Sequence, residues 1–193
     1  MTSRKESRFD IRTIAYIGVM AALVYVATVP RIPFLGSKVH FANAFCLLAG
    51  MLLGPVPGGI AAGLGSAIYD YFTGYDTAGI LITFVSKFAM AWVCAVLMKK
   101  LRWSFKNPAK TLASCIAGSL TYVILYMLKT YVYQRWVYLY PLDAVGATMI
   151  SKLIPSLINA LFAVIAAPLL FHALYPALRA IGVTAVSGVS EEK

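Results

Sequence analysis

The sequence predicts an all-α integral membrane protein, a six-transmembrane-helix bundle whose N- and C-termini are cytoplasmic. The first observation is composition: 61% of residues are hydrophobic, 12% are charged and the mean hydropathy is +0.79, whereas a soluble domain has roughly 25% charged residues. The second is a series of charge-free apolar runs, and the third is an uneven distribution of lysine and arginine. At about 20 residues per span, the chain holds five or six spans, so residues 1–193 are predicted to form a single membrane domain.

The helices follow from the apolar runs and their breaks. A dense cluster of glycine and proline at positions 54–59 divides the uncharged interval 41–69, because such residues end a helix. The first run is longer than the apolar region of a signal peptide and lacks a small-residue cleavage site, so it is predicted to be a retained helix. The predicted helices are at about 12–29, 41–53, 57–72, 78–98, 111–133 and 145–172.

Orientation follows from the excess of lysine and arginine on cytoplasmic loops. Eleven of these residues fall on one predicted side, and three fall on the other. The first group is Arg4, Lys5, Arg8, Arg12, Lys99, Lys100, Arg102, Lys106, Lys110, Arg179 and Lys193; the second is Arg31, Lys38 and Arg135. The same asymmetry explains the net charge of +10 without nucleic-acid binding.

Three lysines lie inside apolar runs, where a charge costs a few kcal/mol or more unless it is paired, snorkels or faces a polar cavity. Lys87 is predicted at a depth of roughly 13 Å and Lys152 at about 10 Å, at 1.5 Å per residue. Lys129 is predicted about one turn from the outer end of helix 5. All three therefore fall in the outer half of the membrane.

Polar residues at helical spacing predict that these lysines share one water-accessible pocket that opens to the outside. Helix 5 carries Tyr126 three residues before Lys129, and helix 6 carries Asn159 seven residues after Lys152. Asp70 lies in the outer half of helix 3, and the outer loops supply Asn43, His40 and Tyr75. The predicted substrate-binding residues are Lys87, Lys152, Asn159, Tyr126, Lys129, Asn43, His40, Asp70 and Tyr75.

Several of these residues also have a purely structural interpretation. Lys129 could snorkel to the interface, and Lys87 or Lys152 could form an ion pair with Asp70. Asn159 could hydrogen-bond a neighbouring helix, and His40 could be a solvated loop residue. The tyrosines near the end of helix 5 could belong to an interfacial aromatic belt.

Several functions have no support in the sequence. There is no P-loop motif for nucleotide hydrolysis, and the only histidines, His40 and His172, are predicted at opposite membrane faces, so an enzyme is not expected. The three cysteines show no disulfide or zinc spacing. We therefore expect neither a metal nor a cofactor.

Small residues form two helix faces that admit close packing. Gly59 and Gly63 on helix 3 are expected to pack inside the bundle. Ala15, Gly18 and Ala22 on helix 1 would suit docking to another membrane subunit.

Several segments together resemble the substrate-binding S components of energy-coupling factor (ECF) vitamin transporters, in particular the riboflavin-type branch. These segments are residues 21–28 (AALVYVAT), 49–55 (AGMLLGP) and 58–67 (GGIAAGLGSA), with Pro30, Pro33, Asp70, Gly74 and Tyr75. The resemblance implies a multi-pass protein of the bacterial cell membrane that captures a vitamin outside. It also implies docking, through Ala15, Gly18 and Ala22, onto a T component that carries two ATP-binding cassette ATPase subunits.

Two positions depart from the family pattern. Gly18 stands in place of the first alanine of the usual docking motif, and residues 40–44 (HFANA) replace a Gly-Asp pair, so that Asn43 keeps the polarity and loses the charge. The second departure means that the family label does not identify the ligand. Because the lysines and tyrosines offer donors and stacking faces, the substrate is expected to be a small aromatic or heterocyclic micronutrient with oxygen acceptors or negative charge: a flavin, a pyridoxine-type vitamin or a deazaguanine. The alternative function is that of a stand-alone secondary transporter or channel for a small solute.

Overall fold

The computed structural model describes residues 10–35, 37–101 and 108–180. Within them the chain forms six α-helices and one β-hairpin. In chain order the elements are α1 (Ile11–Thr28), β1 (Arg31–Phe34), β2 (Ser37–His40), α2 (Ala42–Leu53), α3 (Pro55–Phe72), α4 (Thr77–Lys100), α5 (Pro108–Val132) and α6 (Leu142–Ala180). A π-helical turn, Tyr133–Val137, continues α5.

Helix α2 is the centre of the bundle. Eleven of its twelve residues are buried, and it packs against each of the other five helices. A helix that is apolar on all sides is stable only when it is enclosed, which accounts for the uncharged sequence of this short segment. The remaining helices surround α2, and large apolar side chains cover their outer surfaces.

The turn between α2 and α3 requires glycine and admits proline. Gly54 has a positive φ of 87°, a conformation that glycine adopts without a Cβ penalty. Pro55 then occupies the first turn of α3, where a missing backbone N–H is tolerated. For this reason α3 begins at Pro55, two residues before the predicted residue 57.

The β-hairpin between α1 and α2 corrects the all-α prediction. Its strands pair antiparallel in a register that places Arg31 opposite His40 and Ile32 opposite Val39. Pro33 has a fixed φ and no backbone donor, so it favours an extended edge strand over a helix. Leu35, with a positive φ of 49°, lies in the turn that joins the strands.

Within the described residues, four helices are long and apolar enough to cross a membrane: Ile11–Thr28, Thr77–Lys100, Pro108–Val137 and Leu142–Leu178. Helix α2 is apolar but shorter. The helix predicted at 145–172 is longer than expected, since α6 runs to Ala180 and contains Pro155, Pro168 and Pro176. The terminal cations Arg4, Lys5, Arg8 and Lys193, on which the predicted orientation of the termini partly depends, lie outside the described residues, as do Arg102 and Lys106.

Candidate binding site

A cavity of about 400 Å³ lies at one end of the bundle. The cavity wall consists of the last turns of α1, α3 and α5, the first turns of α4, part of α6 and the β-hairpin. Small-molecule sites commonly have volumes of about 300 to 1,000 Å³. Because Thr28, the last residue of α1, lines the cavity, the first residues of α1 lie at the opposite end of the bundle.

The cavity brings together most of the side chains that the sequence selected. Eight of the nine line it: Lys87, Lys152, Asn159, Tyr126, Lys129, His40, Asp70 and Tyr75. The ninth, Asn43, is not part of the wall, but it accepts a hydrogen bond from Lys87, which lines the cavity.

Lys87 lies about three turns into α4 and is only 3% exposed. The helix starts at a defined point because the Asp76 carboxylate accepts a hydrogen bond from the Gly79 backbone N–H at 2.9 Å, a side-chain N-cap. The Lys87 ammonium donates a hydrogen bond to Asn43 Oδ1 and lies 3.7 Å from the centroid of the Tyr122 ring. In the part of the chain that the structure describes, its partners are thus an amide and an aromatic face, not the carboxylate of an ion pair.

Asn43, in the first turn of α2, is 1% exposed. Its carbonyl accepts the Lys87 proton, while its Nδ2 is buried without a hydrogen-bond partner among the described residues. Buried amide donors are nearly always satisfied. A spare donor next to a cavity-lining lysine therefore marks Asn43 as a candidate for ligand contact.

Asn159 joins α6 to the β-hairpin. Its Oδ1 accepts a hydrogen bond from the His40 backbone N–H at 2.9 Å, and its Nδ2 donates to the Lys38 carbonyl at 2.8 Å. The carboxamide thus pairs with β2 as a neighbouring strand would. The sequence suggested a bond to a neighbouring helix, whereas the partner is strand backbone.

His40 is half-buried in β2, and its Nδ1 is buried without a hydrogen-bond partner among the described residues. Burial, together with the positive charges of Lys87 and Lys38, lowers the pKa of His40 from 6.5 to about 3. The imidazole is therefore neutral at physiological pH. This environment differs from that of a solvated loop residue.

Weaker contacts connect the segments at the rim of the cavity. Lys38 Nζ donates to the Tyr75 hydroxyl at 3.3 Å and lies 5.5 Å from the centroid of that ring. The Tyr133 hydroxyl donates to Asp76 Oδ2 at 3.5 Å. These contacts link the hairpin and the last turn of α5 to the connection between α3 and α4.

The other wall residues come from α3, α5 and α6. Because the π-helical turn continues α5 to Val137, Lys129 lies about two turns from the helix end instead of one. Tyr126 stacks on Tyr122 with centroids 6.0 Å apart and planes 20° apart. Asp70 and Lys152 are half-buried, and Asp70 is hydrogen-bonded to Thr83.

Sequence reasoning missed Arg31 and Lys38, which line the cavity. Both were counted only as outer-loop charges. The available signal was the segment 31–40 itself, in which Pro33 and the alternating Ile32 and Phe34 are typical of an extended strand. A hairpin following α1 would have brought both cations over the helix ends.

The predicted docking residues Ala15, Gly18 and Ala22 are exposed on α1. A Cβ built on Gly18 would meet no atom within 4 Å. By contrast, Gly59 and Gly63 face the rings of Phe88 and Phe84 on α4. The α3 glycines thus serve packing inside the bundle, while no described residue covers the small face of α1.

The described part of the chain contains no cluster of three His, Cys, Asp or Glu residues that could hold a metal ion. Cys46, Cys94 and Cys115 are free and buried. The chemistry that the cavity offers is therefore hydrogen bonding, charge and aromatic stacking.

Comparison with known proteins agrees with this description. Residues 8–176 match the family model of the ECF-type riboflavin transporter, S component. No curated protein matches the chain. Four solved chains match it, among them the S component of a bacterial ECF transporter, with a TM-score of 0.67 and 19% identity over 87% of this chain and 98% of that one.

At 19% identity that structure shows a common fold, and the family model, which spans most of the chain, shows the family. The predicted resemblance is confirmed, and the family is a class of transporter subunits, not of enzymes. The chain belongs to the ECF-type riboflavin transporter S component family and is a multi-pass, membrane-embedded, substrate-specific transporter subunit.

Proposed function

We propose that this S component captures a heterocyclic micronutrient from outside the cell in the cavity described above and delivers it to the cytoplasm. The candidates are a flavin, a pyridoxine-type vitamin and a deazaguanine. The proposed binding residues are Lys87, Lys152, Asn159, Tyr126, Lys129, Asn43, His40, Asp70 and Tyr75.

The observation that carries this proposal is the combination of donors and aromatic surface around one cavity. Lys87 is held against the Tyr122 ring, and Tyr122 stacks on Tyr126. Lysine ammonium groups donate to ring carbonyl oxygens, and tyrosine faces stack on flat rings. A flat heterocycle with oxygen acceptors matches both features within about 400 Å³.

We further propose six membrane spans with both termini in the cytoplasm, so that the cavity faces outward. In this arrangement the four longer helices are four of the spans, and α2 and α3 are the other two. Delivery would require a T component and two ATP-binding cassette ATPase subunits, with Ala15, Gly18 and Ala22 at the docking surface. The exposure of these small residues supports this assignment.

Mass spectrometry of small molecules that copurify with the detergent-solubilised protein tests substrate capture. We expect a heterocyclic compound that is retained by the wild-type chain and lost when Lys87 and Lys152 are both replaced by Met. Lys100→Met is the matched control, since Lys100 is exposed at the far end of α4. If the double variant still retained the compound, the assignment of this cavity as the binding site would be wrong.

Copurification with a T component tests docking. Gly18→Leu should abolish the complex while ligand binding persists, because a bulky side chain would separate helices that need close approach. Gly146→Leu is the control, since a Cβ on Gly146 also meets nothing within 4 Å. Uptake by cells that lack the ATPase subunits would instead support a stand-alone transporter.

A further inference from the structure

We propose that the substrate of this cavity carries a negative charge, as a phosphate or carboxylate group on its ring system or on a side chain of that ring system. This inference rests on the proposed function, because it assigns a substrate class to the same cavity. The charges that line the wall, and the contacts that those charges already make, support it.

The cavity wall has an excess of three positive charges among the described residues. The cations are Arg31, Lys38, Lys87, Lys129 and Lys152, and the carboxylates are Asp70 and Asp76. Like charges gathered around one cavity repel one another, and their field attracts an anion.

The two carboxylates are already engaged. Asp76 caps α4 through the Gly79 N–H and accepts from the Tyr133 hydroxyl. Asp70 is hydrogen-bonded to Thr83. Neither carboxylate hydrogen-bonds Lys87 within the described residues. Asp70 attracts this most buried cation of the wall electrostatically, but the direct contacts of the ammonium group are a neutral amide and a ring.

A buried cation without a carboxylate partner is costly, and a bound anion would relieve that cost. A phosphate ester carries about −1.5 to −2 charges at pH 7 and would cancel much of the excess. An uncharged ring would leave the excess unchanged. The unpartnered Nδ2 of Asn43 adds a buried donor next to Lys87.

The test compares two ligands that share one ring system and differ by a phosphate group, riboflavin and its 5′-phosphate, by fluorescence titration of the purified full chain. At about 0.05 M salt we expect the phosphate ester to bind tighter by a factor on the order of ten or more, with the difference shrinking at about 0.5 M salt. Lys129→Met and Lys87→Met should each reduce the difference, whereas Lys100→Met should preserve it.

The second probe is pyrophosphate, which has no ring and therefore tests the charge alone. Pyrophosphate, compared with chloride at equal ionic strength, should raise the melting temperature of the wild-type protein but not of Lys87→Met. If riboflavin binds as tightly as its phosphate, the charged-substrate proposal fails while substrate capture stands. If neither flavin binds and pyrophosphate still stabilises, the charge proposal is supported and a flavin is excluded; if pyrophosphate also has no effect, the charge proposal fails.

Discussion

The ammonium group of Lys87 is centred on the face of the Tyr122 ring, 3.7 Å from its centroid, and both residues belong to helices that pack directly against each other. A desolvated cation–π contact of this kind contributes about 2 kcal/mol. The contact joins α4 to α5 at the wall of the cavity. It therefore holds in place the cation on which the proposed substrate contact depends.

Replacing Tyr122 tests that contact. We expect Tyr122→Leu to lower the free energy of unfolding by about 2 kcal/mol through loss of the aromatic face. Tyr122→Phe retains the face and should lose much less. Denaturant titration in detergent measures both variants; equal losses would show that the hydroxyl, and not the ring, stabilises this region.

Replacing Asn159 tests the connection between α6 and the hairpin. Asn159→Leu removes both hydrogen bonds to β2, each of which contributes about 1 kcal/mol. Opening of the hairpin should become more frequent by a factor on the order of ten to thirty. Hydrogen exchange of residues 37–40 measures this effect.

Asn159→Asp is the informative comparison, because aspartate keeps the acceptor for the His40 N–H and loses the donor to Lys38. Its exchange rate should fall between those of the wild type and Asn159→Leu. Unchanged exchange in both variants would mean that other contacts hold the hairpin closed.

Because of His40, we expect the stability of the closed hairpin to depend on pH. Its pKa is about 3 in the folded protein and about 6.5 when solvated. Between these values the open or unfolded state binds more protons, so stability rises with pH and is lost as the pH falls below about 6.5.

At 1.36 kcal/mol per pH unit, acidification from 6.5 to 5 should destabilise the closed state by roughly 2 kcal/mol. His40→Gln cannot be protonated and should flatten this part of the stability profile. Melting temperatures recorded from pH 7.5 to about 4.5 would show the difference. Parallel profiles for both proteins would contradict the assignment.

Two glycine substitutions should have opposite effects. A Cβ on Gly50 would overlap the backbone carbonyl of Ala91 on α4, so Gly50→Ala must separate two packed helices and should destabilise by about 1 to 3 kcal/mol. Gly18→Ala meets no neighbour and should stabilise slightly, since alanine is the better helix former. Thermal melting of both variants in the same detergent checks the contrast.

The helices could be read from the sequence because a bilayer demands long uncharged runs, and α2 was visible because the Gly-Pro cluster ends it at Gly54. The gathering of Lys87 and Tyr126 around one cavity was predictable from helical spacing. The hairpin was not, because its contacts depend on Asn159, more than one hundred residues away in the chain. Side-chain bonds to strand backbone leave no periodic pattern, so Arg31 and Lys38 were missed with it.

The enclosure of α2 has a consequence for how this protein responds to its lipid environment. A change in bilayer thickness acts on lipid-facing helices, which adapt by tilting. Because α2 is almost wholly covered by other helices, such a change reaches it only through their packing. The Asn43 carboxamide at its first turn is therefore insulated from differences in acyl-chain length, and we expect its position to vary little between thin and thick membranes.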